Sequence, residues 1–275
     1  MLRLKYSRLT VPRRAKDDIV IGLLFLFDPL GFLERGPDLV AFFREAEAAR
    51  AASAALEDSR VRHELVTNIA EEDPFEAYRA ASRPFPVGNR FWIDPGPPTD
   101  SPAPAGRVAL RLPASRAFGT GGHESTRLAL LALEEEAPEG RRVLDVGTGS
   151  GVLALAAVAV GAERAFGIDT DPEAIFVARE NLALHPFGSR VSLFAGEVGA
   201  LTGTFPVVVA NLLPDELLPM RSSVWARVAS KGHLIVSGIP AEREAEILAK
   251  LRGRHWTLAG CRRENEWTCA TLERG

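Results

Sequence analysis

The residues Val143-Leu144-Asp145-Val146-Gly147-Thr148-Gly149-Ser150-Gly151 constrain this chain more than any other stretch. An apolar run ends in an acid, three glycines follow at alternate positions, and the Ala- and Leu-rich residues 152–160 read as a helix. A buried strand feeding a glycine-rich turn at a helix N-terminus is the start of a nucleotide-type site in an open α/β sheet. Glycine lets the backbone turn tightly and approach a ligand where a Cβ would clash.

The surrounding pattern agrees with that start. It predicts strands at 107–112, 142–146, 165–169, 191–195, 207–211 and 233–237, and helices at 124–136, 152–160, 172–184, 216–228 and 241–251. Strands alternating with helices point to a parallel sheet covered on both faces. The last two predicted strands, 256–262 and 267–272, flank Arg263-Glu264-Asn265-Glu266 and read as an antiparallel hairpin. An open parallel sheet that ends in such a hairpin fits a methyltransferase better than half of a dehydrogenase.

The N-terminal third reads differently. A strand at 2–11 has its alternation broken near Ser7. After it come a helix at 17–27, strands at 31–35 and 39–43 joined by Gly36-Pro37-Asp38, a helix at 45–56 and a strand at 61–69. This order predicts a small α+β, ferredoxin-like domain. A short helix at 74–81 and a strand at 90–93 follow, and five prolines between Asp94 and Gly106 predict a linker. The expected organisation is therefore a first domain at 1–94, a Pro-rich linker at 95–106 and a second domain at 107–275.

Composition narrows the partners. A net charge of −3 gives no reason to expect direct nucleic-acid binding. The apolar run from Ile19 to Phe27 holds nine residues, too few to span a bilayer, and Asp28-Pro29 stands where a signal peptide would have small residues. A cytoplasmic protein with no membrane association is expected. Cys261 and Cys269 lie in no metal-ligand spacing, so no metal is expected; hairpin pairing could set them opposite each other, but buried thiols are the default in a reducing compartment.

The turn itself selects among ligands. A dinucleotide fingerprint needs glycines at the first, third and sixth positions, whereas here the third glycine, Gly151, comes one position early and Val152 takes the sixth. Asp145, two residues ahead of Gly147, would repel a pyrophosphate and attract the sulfonium and ammonium groups of S-adenosylmethionine. Asp169 closes the next predicted strand, 22 residues past Gly147, where a carboxylate can accept from both ribose hydroxyls. Asp171-Pro172 reads as a helix cap. Asn211, at the end of a later strand, points toward the same cleft, and its amide oxygen could accept from a substrate amine or help to hold the methionine moiety. Glu197 can be read equally as an adenine contact or as a solvated loop residue. His123 can be a proton-transfer group on the acceptor or, more simply, a residue that satisfies backbone groups in its glycine-rich loop.

Together, Phe118-Gly119-Thr120-Gly121 with His123 and Thr126, the Asp145–Gly151 turn, Asp169-Thr170-Asp171-Pro172 and Asn211-Leu212 resemble the ribosomal protein L11 methyltransferases. The likeness covers the whole C-terminal part and extends more weakly to Arg90-Phe91-Trp92-Ile93-Asp94-Pro95 and the N-terminal pattern. It implies a Rossmann-like class I methyltransferase sheet, with S-adenosylmethionine held by Thr126, Gly147, Asp169 and Asn211. It also implies methyl transfer to lysine or N-terminal amines of a ribosomal protein, with the N-terminal domain recognising that substrate. Adding Asp145 and Gly149 from the turn gives a candidate cofactor set of Thr126, Asp145, Gly147, Gly149, Asp169 and Asn211, with no catalytic residue assigned. Two other readings stay open on the sequence: a methyltransferase for another protein lysine or a small molecule, and a nucleoside-binding module without catalysis.

Overall fold

The computed structural model describes residues 5–12, 20, 23–24, 26–29, 31–35, 38–70, 82–96, 102–113, 121–253 and 255–275. Most of the helix predicted at 17–27, all of that predicted at 74–81, the Gly36-Pro37 turn and Phe118-Gly119-Thr120 lie outside the described residues. The chain forms two compact units, Met1–Pro74 and Phe75–Gly275.

In the first unit, β1 (Lys5–Pro12), β2 (Gly31–Arg35), β3 (Asp38–Phe43) and β4 (Glu64–Ala70) form one sheet in the order β2-β3-β1-β4. All of its pairings are antiparallel, which is the ferredoxin-like arrangement expected. The broken alternation near Ser7 corresponds to a register shift between Tyr6 and Arg8 against β4. Helix α1 (Ala46–Asp58) buries Ala49, Ala52 and Leu56 against Leu9, Val11 and Phe43, a stripe at helical spacing meeting alternate strand residues.

The second unit begins with a small sheet that the sequence pattern does not reveal. Strand β5 (Phe85–Val87) pairs antiparallel with β6 (Phe91–Asp94), and β6 pairs in parallel with β7 (Val108–Arg111). Strand β7 was expected in the large sheet. Instead, the Pro-rich stretch connects two paired strands inside one unit, so the division between units comes some twenty residues before the expected linker. The physical reason is burial: Phe91, Ile93, Leu110 and Leu112 belong to the same core as helix α2 (Glu124–Glu136) and helix α3 (Val152–Ala159). Glu134 of α2 also accepts from the backbone N–H groups of Asn89 and Arg90.

The large sheet runs β10-β9-β8-β11-β12-β14-β13. Its strands are β8 (Arg142–Val146), β9 (Arg164–Asp169), β10 (Val191–Ala195), β11 (Phe205–Asn211), β12 (Val228–Pro240), β13 (Trp256–Glu264) and β14 (Trp267–Arg274). The first five are parallel, while β14 pairs antiparallel with both β12 and β13, so the predicted hairpin closes the sheet. Helices α4 (Pro172–Ala183), α5 (Pro214–Arg227) and α6 (Glu244–Leu251) complete the cover. Continuous apolar runs fit a sheet buried on both sides: Val207 and Val209 enter the core with α2 and α3, while Val208 and Ala210 enter the core with α5 and α6.

Chain order steps outward from β8 to β9 and β10, then returns to β11 on the other side of β8. That reversal leaves a crevice at the carboxyl ends of the strands, where ligands bind in open α/β sheets. Register brings the ends level. Val146 pairs with Ile168 and with Ala210, so Gly147, Asp169 and Asn211 stand side by side on one rim.

The two cysteines do not face each other. Cys261 pairs with Ala270 and Cys269 with Arg262, so they point to opposite faces of the hairpin as free thiols. Burial pushes the Cys269 thiol up to about 12.

Candidate active site

A cavity of about 970 Å³ lies on that rim. Of the six candidate residues, Thr126, Gly147, Gly149, Asp169 and Asn211 line it, and Asp145 does not. Glu197 and His123 line it as well.

The turn after β8 is built on positive φ. Gly147 lies at +69° and Gly151 at +81°. A Cβ on Gly147 would stand 2.4 Å from Cδ2 of Leu212, itself part of the cavity wall. The Gly147→Ala variant is therefore expected to lose about 1–2 kcal/mol of stability to left-handed strain. Because its methyl group must displace Leu212 in the cavity wall, it is also expected to lose about tenfold or more in cofactor affinity. Thermal unfolding and calorimetry read the two effects separately.

Asp145 is 1% exposed. Its Oδ2 accepts from Thr148 Oγ1 at 2.7 Å and from the Ala154 N–H at 3.1 Å. The expectation that it faces the ligand is corrected to this extent: the carboxylate stands behind the turn because the tight bend leaves the first-turn amide of α3 in need of an acceptor. Its Oδ1 is buried without a partner, and burial pushes its pKa up to about 7. Any attraction it exerts on a cationic ligand acts through space.

Asp169 braces the turn from the next strand. Its Oδ2 accepts from the Gly149 N–H at 2.9 Å and its Oδ1 from the Asp171 N–H at 3.0 Å. A carboxylate has about four acceptor positions, so capacity remains on the cavity side. Asp171 caps α4 by accepting from the Glu173 N–H at 2.8 Å, with Pro172 opening the helix.

Asn211 donates from Nδ2 to Thr126 Oγ1 at 3.2 Å, while its Oδ1 is buried with no partner. A buried acceptor in a cavity wall with no partner in the protein suits a ligand that brings a donor. His123 is the N-cap of α2: its Nδ1 accepts from the Ser125 N–H at 3.3 Å and lies 2.8 Å from Ser125 Oγ. The simpler reading of His123, as a residue satisfying backbone groups, describes this geometry.

Two parts of the wall have no counterpart among the expected residues. Helix α5 contributes Glu216, Pro219, Met220 and Ser223. Their spacing of three, four and seven is one helical face, a signal present in the sequence but masked by an otherwise ordinary pattern. Trp267, from β14, lies edge-on to His123 with ring centroids 5.0 Å apart.

The charge of the wall discriminates among ligands. It holds Asp169, Glu197 and Glu216, and no Lys or Arg among the described residues that line it. Such a surface disfavours a pyrophosphate and suits a cation. The orphaned Asn211 Oδ1, the Cβ-free turn at Gly147 and the buried Asp145 carboxylate behind it, whose Oδ1 has no partner, all fit a nucleoside that carries a sulfonium and an ammonium group.

The family model described as ribosomal protein L11 methyltransferase (PrmA) matches residues 31–275. The chain belongs to this family. A ribosomal protein L11 methyltransferase from Geobacter metallireducens is 42% identical over 210 residues, covering 76% of this chain and 69% of that protein. One from Geobacter sulfurreducens is 43% identical over 205 residues, with 74% and 67% covered. The crystal structure of a ribosomal protein L11 methylase from Lactobacillus delbrueckii subsp. bulgaricus has a TM-score of 0.64 at 28% identity, covering 70% of this chain and 99% of that one. The chain is thus an S-adenosylmethionine-dependent methyltransferase with the Rossmann-like class I fold. Among the described residues no helix is long and apolar enough to cross a membrane.

Proposed function

We propose that this chain transfers methyl groups from S-adenosylmethionine to amino groups of ribosomal protein L11, on lysine side chains, the N-terminal amine or both. The observation that carries the reading is a cation-suited cavity that continues beyond the cofactor residues. Its wall runs from Gly196 and Glu197 after β10 to Trp267 on β14. Adjacent strands are about 4.8 Å apart, so five intervals span about 24 Å. We assign the β9–β10 end to the nucleoside, with Asp169 accepting from the ribose and Glu197 near the adenine. The Gly147–Gly149 turn, Thr126 and Asn211 take the methionine moiety. The β12–β14 end, with His123 and Trp267, is left for the acceptor amine.

Bound there, S-adenosylmethionine supplies an electrophilic methyl group. The chain's own contribution is positioning: holding the acceptor amine in line and at near-attack distance accounts for most of the rate. A lysine amine, with an ordinary pKa of about 10.4, must first lose its proton, and desolvation in a partly apolar cleft favours the neutral form. No strong general base is needed, and none is assigned. The Met1–Pro74 unit is proposed to recognise the protein substrate, and the chain is proposed to act in the cytoplasm, on the ground that its acceptor is a ribosomal protein.

Incubation of the purified chain with S-adenosylmethionine and L11, followed by mass mapping, is expected to show methyl groups on L11 amines. Binding of S-adenosylhomocysteine without modification of L11 would redirect the search to another protein or a small-molecule acceptor.

A further inference from the structure

The β13–β14 hairpin meets the first turn of α2 through side chains that cofactor binding does not use. Arg127 stands at their centre. Its Nη1 donates to the carbonyl of Gly122 at 2.5 Å, and its Nε donates to Glu264 at 3.2 Å to Oε1 and 3.3 Å to Oε2. Its Nη2 donates to the same carboxylate. Beside it, Asn265 Nδ2 donates to Glu124 Oε1 at 3.3 Å, and that oxygen lies 3.9 Å from Arg127 Nη2. Glu264 and Asn265 sit at the hairpin turn, just ahead of Trp267.

Arg127 and Glu264 are 27% and 35% exposed, so as an ion pair they add little to stability. What the contacts provide is geometry. One planar guanidinium is spent on three fixed acceptors, and these belong to the two segments that carry His123 and Trp267. A lysine ammonium is a point charge on a flexible stem and cannot reproduce the fork.

We propose that Arg127 is a positioning residue for the methyl acceptor. By fastening Gly122 and the hairpin turn to α2, it sets the separation of the His123 and Trp267 rings against which the amine is held. This rests on the assignment of the β12–β14 end of the cavity to the acceptor. The cofactor contacts are held by other bonds: Gly147 and Asp169 lie at the ends of β8 and β9, on the far side of β11 and β12 from the hairpin, and Thr126, the neighbour of Arg127 on α2, is fixed by Asn211 Nδ2 at 3.2 Å.

The test compares full-length wild type with Arg127→Met, Arg127→Lys, Glu264→Gln and the Arg127→Met/Glu264→Gln double variant. Three quantities are measured: S-adenosylhomocysteine affinity by calorimetry, Tm, and kinetics on L11 at saturating S-adenosylmethionine. Both Arg127 variants are expected to lose about tenfold or more in kcat/KM for L11. Cofactor affinity should stay within about twofold and Tm within about 3 °C. The double variant should lose no more than Arg127→Met alone, since both changes undo one contact. Full activity in Arg127→Met, rescue by lysine, or a loss of cofactor affinity or Tm that parallels the loss of rate would each overturn the assignment, as would additive losses in the double variant. Wild type that binds S-adenosylhomocysteine but leaves L11 unmodified overturns the acceptor assignment and the role of Arg127 with it. Wild-type turnover with unaffected variants overturns the role of Arg127 alone.

Discussion

Replacing Asp169 by alanine is expected to weaken S-adenosylhomocysteine binding by about two orders of magnitude. The proposed contacts are two ribose hydroxyls donating to a carboxylate, each worth about 1.5 kcal/mol or more because the acceptor is charged. Two such bonds amount to about 3 kcal/mol, or roughly a hundredfold in Kd. The same carboxylate also accepts from the Gly149 and Asp171 N–H groups, so alanine loosens the turn as well as removing the ribose contact. Asp169→Asn separates the two. It keeps one acceptor oxygen but lacks the charge, and a loss nearer tenfold is expected. Calorimetry with S-adenosylhomocysteine measures both variants, and thermal unfolding controls for the turn. An alanine variant that folds and binds within about threefold of wild type would remove Asp169 from the cofactor site.

Asp169 also illustrates what was legible in the sequence. A strand buried on both faces is written as an unbroken apolar run, and the first polar residue after it marks the rim. This places Asp169 and Asn211 beside Gly147 without any knowledge of the register that aligns them. Local chemistry was legible for the same reason: Asp171-Pro172 can hardly be anything but a helix start, and His123 caps α2 through its own neighbour. Nonlocal pairing was not legible. Strands were expected at 90–93 and 107–112, where β6 and β7 lie, but β5 holds three residues, too few to show a period, and nothing local says that the three form a sheet of their own. The pairing of β6 with β7 spans a proline-rich stretch whose composition is that of a linker. The roles of Trp267 and Arg127 depend on the hairpin folding back along α2, at separations of more than a hundred residues, and no spacing rule encodes that. Asp145 fell between the two cases. Its position at the strand end was legible, but its direction was not, because the demand of the Ala154 amide exists only once α3 has formed.

That buried carboxylate makes the second large effect. Burial raises the Asp145 pKa from the ordinary 3.8 to about 7, while an unfolded chain releases the proton near 3.8. Between these values the folded state holds a proton that the unfolded state has lost, so stability falls as pH rises from about 4 toward 7. Above pH 7 the full cost of a buried carboxylate with an unpartnered Oδ1 is present, on the order of a few kcal/mol. Asp145→Asn keeps the acceptor for Thr148 and Ala154 and removes the charge. It is expected to raise Tm at pH 8 by several degrees over wild type and to have little effect at pH 5, where Asp145 is protonated. Affinity should move the other way. A sulfonium and an ammonium in the cavity favour the ionised carboxylate, so wild-type binding of S-adenosylmethionine should tighten from pH 6 to pH 8, with a proton released near pH 7. The asparagine variant should bind more weakly at pH 8 and lack this part of the pH dependence. Calorimetry in two buffers of different ionisation enthalpy counts the proton, and the difference between wild type and variant isolates Asp145 from the cofactor's own amine. Identical pH profiles, or a variant less stable than wild type at pH 8, would mean that the carboxylate is spent entirely on the turn. A stability gain paired with an affinity loss would show a buried charge kept at a cost to folding because it helps to hold a cationic cofactor.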